Sequence, residues 1–308
     1  MTRETRWLAA FLAAVPAVLA QNAPHLAYVL PAGGRQGATF QVTTGGQYLP
    51  NVSAAFVSGS GVKATVVDYA RPMNAMQATE LRDRMQALQK ETMTDTVRKE
   101  MVDIRVKLLL FNARRLTSPV LAETVTLQVA IAPVAAPGKR ELRVETPQGL
   151  SNPLVFCVGQ LPEFTEKESI SVVQPNPNQP AQAQITQPPT DMPITLPATV
   201  NGRIKPGLPR PQARSGQPFT PGEADRYRFQ AHQGQELVIT ASARELIPYL
   251  ADAVPGWFQA ILTLYDAGGN EVAYDDGYRF HPDPVIHYAV PKDGEYTIEI
   301  RDAIYRGR

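Results

Sequence analysis

Cysteine, charge and long apolar runs are all scarce in this chain of 308 residues. Cys157 is the only cysteine, so an intrachain disulfide is excluded, and its position in an apolar run predicts a buried, unreactive thiol. The 30 Lys and Arg residues nearly balance the 29 Asp and Glu residues, and no basic run is dense enough to attract nucleic acid. Nucleic acids are therefore excluded as partners, and stability must come from packing alone.

Motifs for catalysis are absent from the sequence as well. It contains no His-Glu-x-x-His, no Gly-x-Ser-x-Gly and no phosphate-binding Gly-x-x-x-x-Gly-Lys motif. His281, Asp283 and His287 resemble a set of metal ligands, but the prolines beside Asp283 are typical of a loop that enters a strand. We therefore expect neither an enzyme nor a bound transition metal.

The one long apolar run lies at the N-terminus, from residue 7 to 19, and follows Arg3 and Arg6. With small residues before Gln21, this pattern predicts a signal peptide over residues 1–20. An uncleaved anchor is the alternative, although the run is shorter than the roughly 20 residues that span a bilayer. The sequence thus predicts a bacterial protein that is secreted, periplasmic or at the cell surface, without a stable membrane span after cleavage.

Residues 198–308 alternate apolar and polar side chains in short runs that are separated by turns. The clearest hairpin joins 225–230 to 235–239 through a glycine-containing turn, and further pairs of runs lie within 261–274 and 285–300. Short strands at regular spacing, with little helical pattern between them, predict a β-sandwich.

Several motifs follow one another in this region: Asp225-Arg-Tyr-Arg-Phe, Gly234-Gln-Glu-Leu-Val-Ile, Leu262-Thr-Leu-Tyr-Asp, Gly269-Asn-Glu-Val, Asp275-Asp276 and Asp293-Gly-Glu-Tyr-Thr-Ile-Glu-Ile. In this order they resemble the bacterial pre-peptidase C-terminal domain. The resemblance covers about 198–308 and implies a small, jelly-roll-like β-sandwich that accompanies secreted proteases and other extracellular proteins without being catalytic. Some related members bind collagen or calcium. Because related domains continue into one more strand, we expect this one to be truncated and to leave an unpaired sheet edge.

The first part of the chain, 21–160, shows about seven short strands with turns, which predicts an immunoglobulin-like β-sandwich. The segments 136–144 and 146–154 resemble immunoglobulin-like modules that precede pre-peptidase domains in large secreted bacterial proteins. Between the two sandwiches, 161–197 is rich in Pro and Gln and predicts an extended linker. A second Pro-rich segment, 205–221, predicts a surface loop.

Residues 74–116 interrupt the strands of the first sandwich with a helical pattern. Apolar side chains recur there at spacings of three and four in two stripes: Leu81, Met85 and Leu88, then Val97, Met101, Ile104, Leu108 and Phe111. We predict an inserted α-helical hairpin whose second helix begins with a capping box of Thr92 and Asp95. The stripes can bury against each other and the sandwich, or they can form an arm that binds a partner or a second copy.

Aromatic side chains cluster in the segment 245–258, which is longer than the usual connection between such strands, and in the loop that follows the next hairpin. Exposed aromatic groups on a sandwich edge are typical of glycan or peptide contacts, whereas burial as a lid over the core is the alternative. The candidate ligand-binding residues are Tyr249, Trp257, Phe258 and Tyr278.

Aspartates at the predicted strand ends are candidates for calcium, which prefers oxygen ligands from loops. These aspartates are Asp225, Asp266, Asp275, Asp276 and Asp283, of which Asp225, Asp275 and Asp276 are the candidate ligands. Related calcium-binding members carry an acidic, Asn-containing segment just before the domain, but here Glu166-Lys-Glu-Ser leads into Gln- and Pro-rich chain. Turn and cap roles are therefore the alternative for these aspartates, and we expect no other cofactor.

These patterns together predict a mainly β protein with two β-sandwiches, the first immunoglobulin-like and the second jelly-roll-like. We expect a secreted, non-catalytic accessory module that recognises an extracellular ligand, which can be a glycan, a matrix protein or a partner domain. Two alternatives stay open. The chain can be the non-catalytic part of a larger secreted peptidase, or a structural protein that oligomerises through 74–116.

Overall fold

The computed structural model describes residues 22–114, 122–166, 171–173, 182–184, 191–204, 224–249, 258–279 and 281–303. Within these ranges the chain is mainly β, with several sheets and two helices. The predicted signal peptide lies outside the described residues. No helix in the described ranges is both long enough and apolar enough to span a membrane.

Two sheets form the first half of the chain. Its elements are β1 (His25–Leu30), β2 (Gly33–Arg35), β3 (Thr39–Gln47), β4 (Ala54–Val57), β5 (Val62–Ala70), α1 (Ala75–Leu88), α2 (Asp95–Arg114), β6 (Glu123–Ile131), β7 (Gly138–Thr146), β8 (Gly149–Leu150) and β9 (Leu154–Gly159). One sheet has the order β1-β3-β6-β5, and the other has the order β2-β9-β7-β4 with β8 beside β7. The pair β2 and β9 is parallel, and the remaining pairs are antiparallel.

Both of these sheets turn alternate side chains into one shared core, which we call the first core. Every second residue is buried along β6 and along β9, as expected for strands with one apolar face. The buried side chains of these two strands are Val125, Leu127, Val129, Ile131, Leu154, Phe156 and Val158. Cys157 falls on the opposite side of β9, because side chains alternate, so it is half-buried rather than buried as predicted. Partial burial raises the pKa of its thiol.

The helices α1 and α2 lie between β5 and β6 along the chain and pack against each other. Their contact joins Leu81, Met85, Leu88, Val97, Met101, Ile104 and Leu108, which are the members of the two predicted stripes except Phe111. Asn74 and Gln77 form a capping box at the start of α1. The capping box predicted for Thr92 and Asp95 is wrong, because α2 begins at Asp95 and its Val97 N–H donates to the Thr94 hydroxyl at 3.2 Å.

The second half of the chain contains a five-stranded sheet and three two-stranded ones. Its elements are β10 (Glu163–Thr165), β11 (Ser171–Val173), β12 (Gln182–Gln184), β13 (Asp191–Pro193), β14 (Thr199–Asn201), β15 (Ala224–Ala231), β16 (Glu236–Thr240), β17 (Ala260–Tyr265), β18 (Glu271–Asp275), β19 (Val285–Ala289) and β20 (Gly294–Asp302). The large sheet has the order β13-β15-β20-β17-β18. The two-stranded sheets pair β10 with β14, β11 with β12, and β16 with β19. The last strand, β20, is therefore interior to its sheet. The hairpins predicted for β15 with β16 and for β19 with β20 are wrong, because the chain crosses from one sheet to the other at each of these turns, whereas β17 and β18 do pair.

The five-stranded sheet packs one face against the pair β16 and β19, and the apolar side chains between them form the second core. Tyr227 and Phe229 of β15 meet Tyr296 of β20, whose ring stacks on that of Phe229 at a centroid distance of 6.4 Å. Leu237 of β16 and Ile286 of β19 close the core from the other side. The opposite face of the five-stranded sheet is rich in charged side chains, and we call it the polar face.

Part of the predicted linker is built into these sheets. Residues 163–165 pair with β14, and 191–193 pair with β15, both in parallel. Met192, Ile194 and Leu196 pack on the second core. The second half therefore begins to pack at residue 191 and not at residue 198. The sequence did not indicate this start, because the many prolines in the segment favoured an extended linker over an alternating strand. The predicted loop 205–221 lies outside the described residues.

Candidate ligand-binding site

The predicted aromatic residues lie in two neighbouring loops of the second half. Phe258 is half-buried just before β17, and Trp257 lies outside the described residues. Tyr278 follows β18, is 42% exposed, and has the Arg279 guanidinium 5.2 Å from its ring centroid. Tyr249 lies in the loop 241–249, earlier in the same connection between β16 and β17 as Phe258, whereas Tyr278 lies in the connection between β18 and β19. No contact between Tyr249, Phe258 and Tyr278 is present, so these side chains do not form one aromatic platform within the described chain.

The carboxylate of Asp283 joins these two loops. It accepts hydrogen bonds from the backbone N–H groups of Ala243, Arg244 and Glu245, at 3.2, 2.7 and 3.0 Å. Asp283 therefore fixes the backbone of the loop 241–249.

Tyr249 contacts the first half of the molecule. Its ring meets the imidazole of His25 edge to face at a centroid distance of 5.5 Å, and its hydroxyl donates to the carbonyl oxygen of Pro153 at 3.3 Å. Leu246 packs on the first core beside it, and Glu245 pairs with Lys139 of β7. Tyr249 therefore has a structural role at the contact between the two halves. Its role in ligand binding stays a prediction.

The predicted calcium ligands are separated by the sheet register. Asp225, Ile300, Leu262 and Asp275 occupy one row across β15, β20, β17 and β18. Three strand spacings of about 4.8 Å place Asp225 and Asp275 roughly 14 Å apart. Because calcium ligands lie about 2.3 to 2.6 Å from the ion, these two carboxylates cannot bind the same one.

Asp275 and Asp276 both accept hydrogen bonds inside the fold. Asp275 accepts from the Val285 N–H at 2.6 Å, which connects β18 to the start of β19, and Asp276 accepts from the Tyr274 hydroxyl at 3.4 Å. Asp225 is buried. Among the residues that the structure describes, no group of three or more His, Cys, Asp or Glu side chains is arranged to hold a metal ion.

A cleft of about 280 Å³ opens on the polar face. We call it the polar-face cleft. Its lining comes from β13, β15, β17, β20 and the turn between β17 and β18: Asp191, Arg226, Arg228, Tyr265, Asp266, Ala267, Gly269, Glu295 and Thr297. Of these residues, only Asp266 was considered from the sequence, as one of the strand-end aspartates. Their signal was the alternation of Arg226 and Arg228 with the buried Tyr227 and Phe229, which places both arginines on the outer face.

One side of the cleft is fixed by a charged pair. The Arg226 Nε and a terminal nitrogen both lie 2.7 Å from one carboxylate oxygen of Glu299, whose other oxygen is 3.6 Å from Arg301. Glu299 is only 6% exposed, and its hydrogen bond raises the pKa of Arg226. The Arg226 guanidinium lies 5.5 Å from the ring centroid of Tyr265. The charge of Arg226 is therefore closely paired with that of Glu299.

The turn between β17 and β18 forms a rigid wall of the cleft. One carboxylate oxygen of Asp266 accepts from the Gly268 N–H, the Asn270 N–H and the Asn270 side-chain amide, at 2.8, 3.0 and 3.1 Å. Hydrogen bonds from Asn270 hold the pKa of Asp266 below its ordinary value. Gly269 has φ of 75°, which a residue with a side chain rarely adopts. Asp266 thus acts as an acceptor for its own turn.

Arg228 lies between two carboxylates without bonding closely to either. Its Nε is 3.9 Å from Asp191, and a terminal nitrogen is 3.5 Å from Glu295. These distances exceed those of a good N–H···O hydrogen bond. The Nε of Arg228 and the Oδ1 of Asp191 are buried atoms with no hydrogen-bond partner within the described ranges. Arg228 thus forms two long ion pairs in the cleft and no close hydrogen bond to either carboxylate.

No protein family model and no curated protein matches this chain. Solved structures that are similar include the secreted serine protease VesC from Vibrio cholerae, at 10% identity and a TM-score of 0.21, covering 92% of this chain and 47% of that one. SGBP-B of the Bacteroides ovatus mixed-linkage glucan utilization locus, in complex with a mixed-linkage heptasaccharide, has 9% identity and a TM-score of 0.20, with 87% and 71% covered. Lac15 from a marine microbial metagenome has 12% identity and a TM-score of 0.15, with 87% and 50% covered.

This chain thus spans about half of the VesC chain. At such TM-scores the likenesses support neither a fold nor a function.

Proposed function

We propose that this protein is a secreted or cell-surface, non-catalytic binding module of bacteria that recognises an extracellular ligand through the polar-face cleft. The observation that carries this proposal is the position of Arg228 in the cleft, where its guanidinium lies 3.9 Å from Asp191 and 3.5 Å from Glu295. These three side chains are 40 to 44% exposed and their ion pairs are longer than hydrogen bonds, so their accessible polar atoms can bond to a ligand. A recognition site, rather than a structural contact, accounts for this arrangement.

The architecture that we propose is an immunoglobulin-like β-sandwich with an inserted helical hairpin, followed by a pre-peptidase C-terminal-like β-sandwich. The shared core of the first two sheets and the position of α1 and α2 between β5 and β6 support the first assignment. For the second, most of the motifs that resemble the family fall on β15, β16, β17, β18 and β20. Extracellular accessory domains with this resemblance are not catalytic, which supports a binding role.

Preorganisation of the cleft also supports binding. The Arg226 and Glu299 pair and the Asp266 turn hold two sides of it in place, so little conformational entropy is lost when a ligand enters. Three strands and a turn contribute to the site, in addition to the edge strand β13. Side chains on sheet strands are positioned more accurately than side chains on loops.

A printed array of extracellular glycans and matrix proteins tests this proposal, probed with the full chain with and without calcium. We expect at least one reproducible hit that Arg228→Ala abolishes and that Arg35→Ala, an exposed arginine on β2, retains. An array without hits in both calcium conditions contradicts the binding function. Hits that survive Arg228→Ala contradict the assignment to the cleft.

A further inference from the structure

We propose that the polar-face cleft binds a neutral sugar unit through two adjacent hydroxyl groups, held by Arg228 together with Asp191 and Glu295. This inference rests on the proposed function and names the ligand class of the same site.

The hydrogen-bonding needs of the three side chains select a hydroxyl group. Arg228 can only donate, and the ionised carboxylates of Asp191 and Glu295 can only accept. A hydroxyl does both, so one beside the guanidinium and Asp191 accepts from the first and donates to the second. A second hydroxyl does the same beside the guanidinium and Glu295. The ion pairs of 3.9 and 3.5 Å are longer than hydrogen bonds and the three side chains are 40 to 44% exposed, so their accessible atoms can bond to such groups.

Ligands with a single kind of polar group satisfy only part of this set. A phosphate, sulfate or carboxylate group accepts hydrogen bonds, so it can satisfy Arg228 but cannot donate to the carboxylate of Asp191. An ammonium group has the opposite defect, because it cannot accept from Arg228. A pair of neighbouring hydroxyls, as on a sugar ring, satisfies the arginine and both carboxylates together.

The charge of the cleft favours a neutral ligand as well. Two arginines line it against three carboxylates, and the buried Glu299 lies directly beside it. Because Arg226 is already closely paired with Glu299, Arg228, whose ion pairs are longer, is the lining arginine that we assign to the ligand. An anionic ligand at Arg228 is then close to both Asp191 and Glu295, and this like-charge repulsion is unfavourable.

The size and shape of the cleft fit one sugar ring of a longer chain. Its volume of about 280 Å³ is slightly below the roughly 300 to 1,000 Å³ of pockets that enclose drug-sized ligands. The ring of Tyr265 gives the cleft an apolar side for the carbon atoms of a sugar, while the Asp266 turn limits the cleft at one end.

Affinity gel electrophoresis of the full chain tests this inference with defined polymers. The neutral probes are laminarin, xylan, galactomannan and dextran, and the anionic probes are heparin and polygalacturonate. We expect retardation by at least one neutral polymer and by neither anionic one. Arg228→Lys keeps the charge but removes the planar fork of donors, so we expect affinity to fall by about tenfold or more. Asp191→Asn should weaken binding in the same direction, and Arg35→Lys should not.

Several outcomes overturn the inference. Retardation only by heparin or polygalacturonate, no retardation by any neutral polymer, or equal retardation of Arg228→Lys and the wild type each contradict it. Thermal unfolding followed by circular dichroism shows that each variant is folded, so a loss of affinity is assigned to the cleft. A hit on the glycan and protein array that depends on Arg228, combined with no retardation by neutral polymers, refutes the ligand class and leaves the proposed function standing.

Discussion

The ring of Tyr249 meets the imidazole of His25 edge to face, with 5.5 Å between the ring centroids and 70° between the ring planes. The two residues belong to different halves of the chain, and Leu246 packs on the first core next to them. A second connection comes from β10, which follows the last strand of the first half, β9, directly along the chain and pairs with β14 of the second half. The two halves therefore contact each other through specific side chains as well as through a linker.

This contact predicts that Tyr249→Ala weakens the coupling between the two cores. The substitution removes an aromatic pair and buried apolar area, and we expect a loss of about 1–3 kcal/mol in the free energy of unfolding. Differential scanning calorimetry should show the transition of the wild type broaden or split in the variant. Tyr278→Ala removes a ring of the neighbouring loop and serves as the control. Identical thermograms for Tyr249→Ala and wild type contradict this role.

The pair of Arg226 and Glu299 predicts that Arg226 contributes more to the free energy of unfolding than Arg228, which lies on the same strand and face. Arg226→Ala removes the closer of the two arginines beside a buried carboxylate, so we expect the free energy of unfolding to fall by about 1–3 kcal/mol. Arg228→Ala removes only longer contacts, and we expect a loss below about 1 kcal/mol. Urea unfolding measures both values. If Arg226→Ala combined with Glu299→Gln is no more stable than Arg226→Ala alone, the uncompensated carboxylate is not the cause.

The helices should unfold without the sheets when their own core is damaged. Leu88 is completely buried between α1 and α2, and their apolar cluster is separate from the first core. Leu88→Ala should cost about 2–5 kcal/mol locally, because a cavity remains. Limited proteolysis should then cut within 75–114 at a raised rate, while Met93→Ala, an exposed residue, leaves cleavage unchanged. Unchanged cleavage in Leu88→Ala is the result that we do not expect.

Burial raises the pKa of Glu163, and this predicts a pH dependence of stability. In the unfolded chain such a carboxyl titrates near about pH 4.3, whereas the folded protein keeps its proton to higher pH. Between the pKa of Glu163 in the unfolded chain and its higher pKa in the folded protein, the folded state binds more protons. The stability of the folded state therefore falls as pH rises through that interval. Glu163→Gln lacks the titrating group, so its stability relative to wild type should increase from about pH 4 to about pH 7.

Urea unfolding over this pH range measures the difference. Met93→Ala, at an exposed position without a titrating group, is the control, and its difference from wild type should stay flat. A difference for Glu163→Gln that shrinks as pH rises contradicts the assignment of the shift to burial.

Local patterns in the sequence were enough to predict the helices and many strands. The stripes from Leu81 to Leu108 form the predicted contact because a period of 3.6 residues places them on one side of each helix. The alternation of apolar and polar residues was equally informative for β6, β9 and β15, because it indicates which side chains of each strand are buried.

The polar-face cleft could not be predicted in this way, because it depends on pairing between distant segments. Asp191 reaches Arg226 and Arg228 only because β13 pairs in parallel with β15, and no local pattern specifies that partner. Tyr249 posed a related problem, since an aromatic residue in a long loop has the same sequence signature whether it contacts a ligand or another part of the chain. The strand register likewise separates Asp225 from Asp275, although both lie at predicted strand ends.

The most direct test of the account fills the polar-face cleft and leaves the rest of the polar face unchanged. Thr297 lines the cleft on β20, whereas Tyr274 lies on the same face of β18 and is not among the lining residues. We predict that Thr297→Trp abolishes the array and polymer binding of the full chain and that Tyr274→Trp retains it, with both variants folded. Binding by Thr297→Trp at wild-type strength would contradict the central claim that the polar-face cleft is the ligand-binding site.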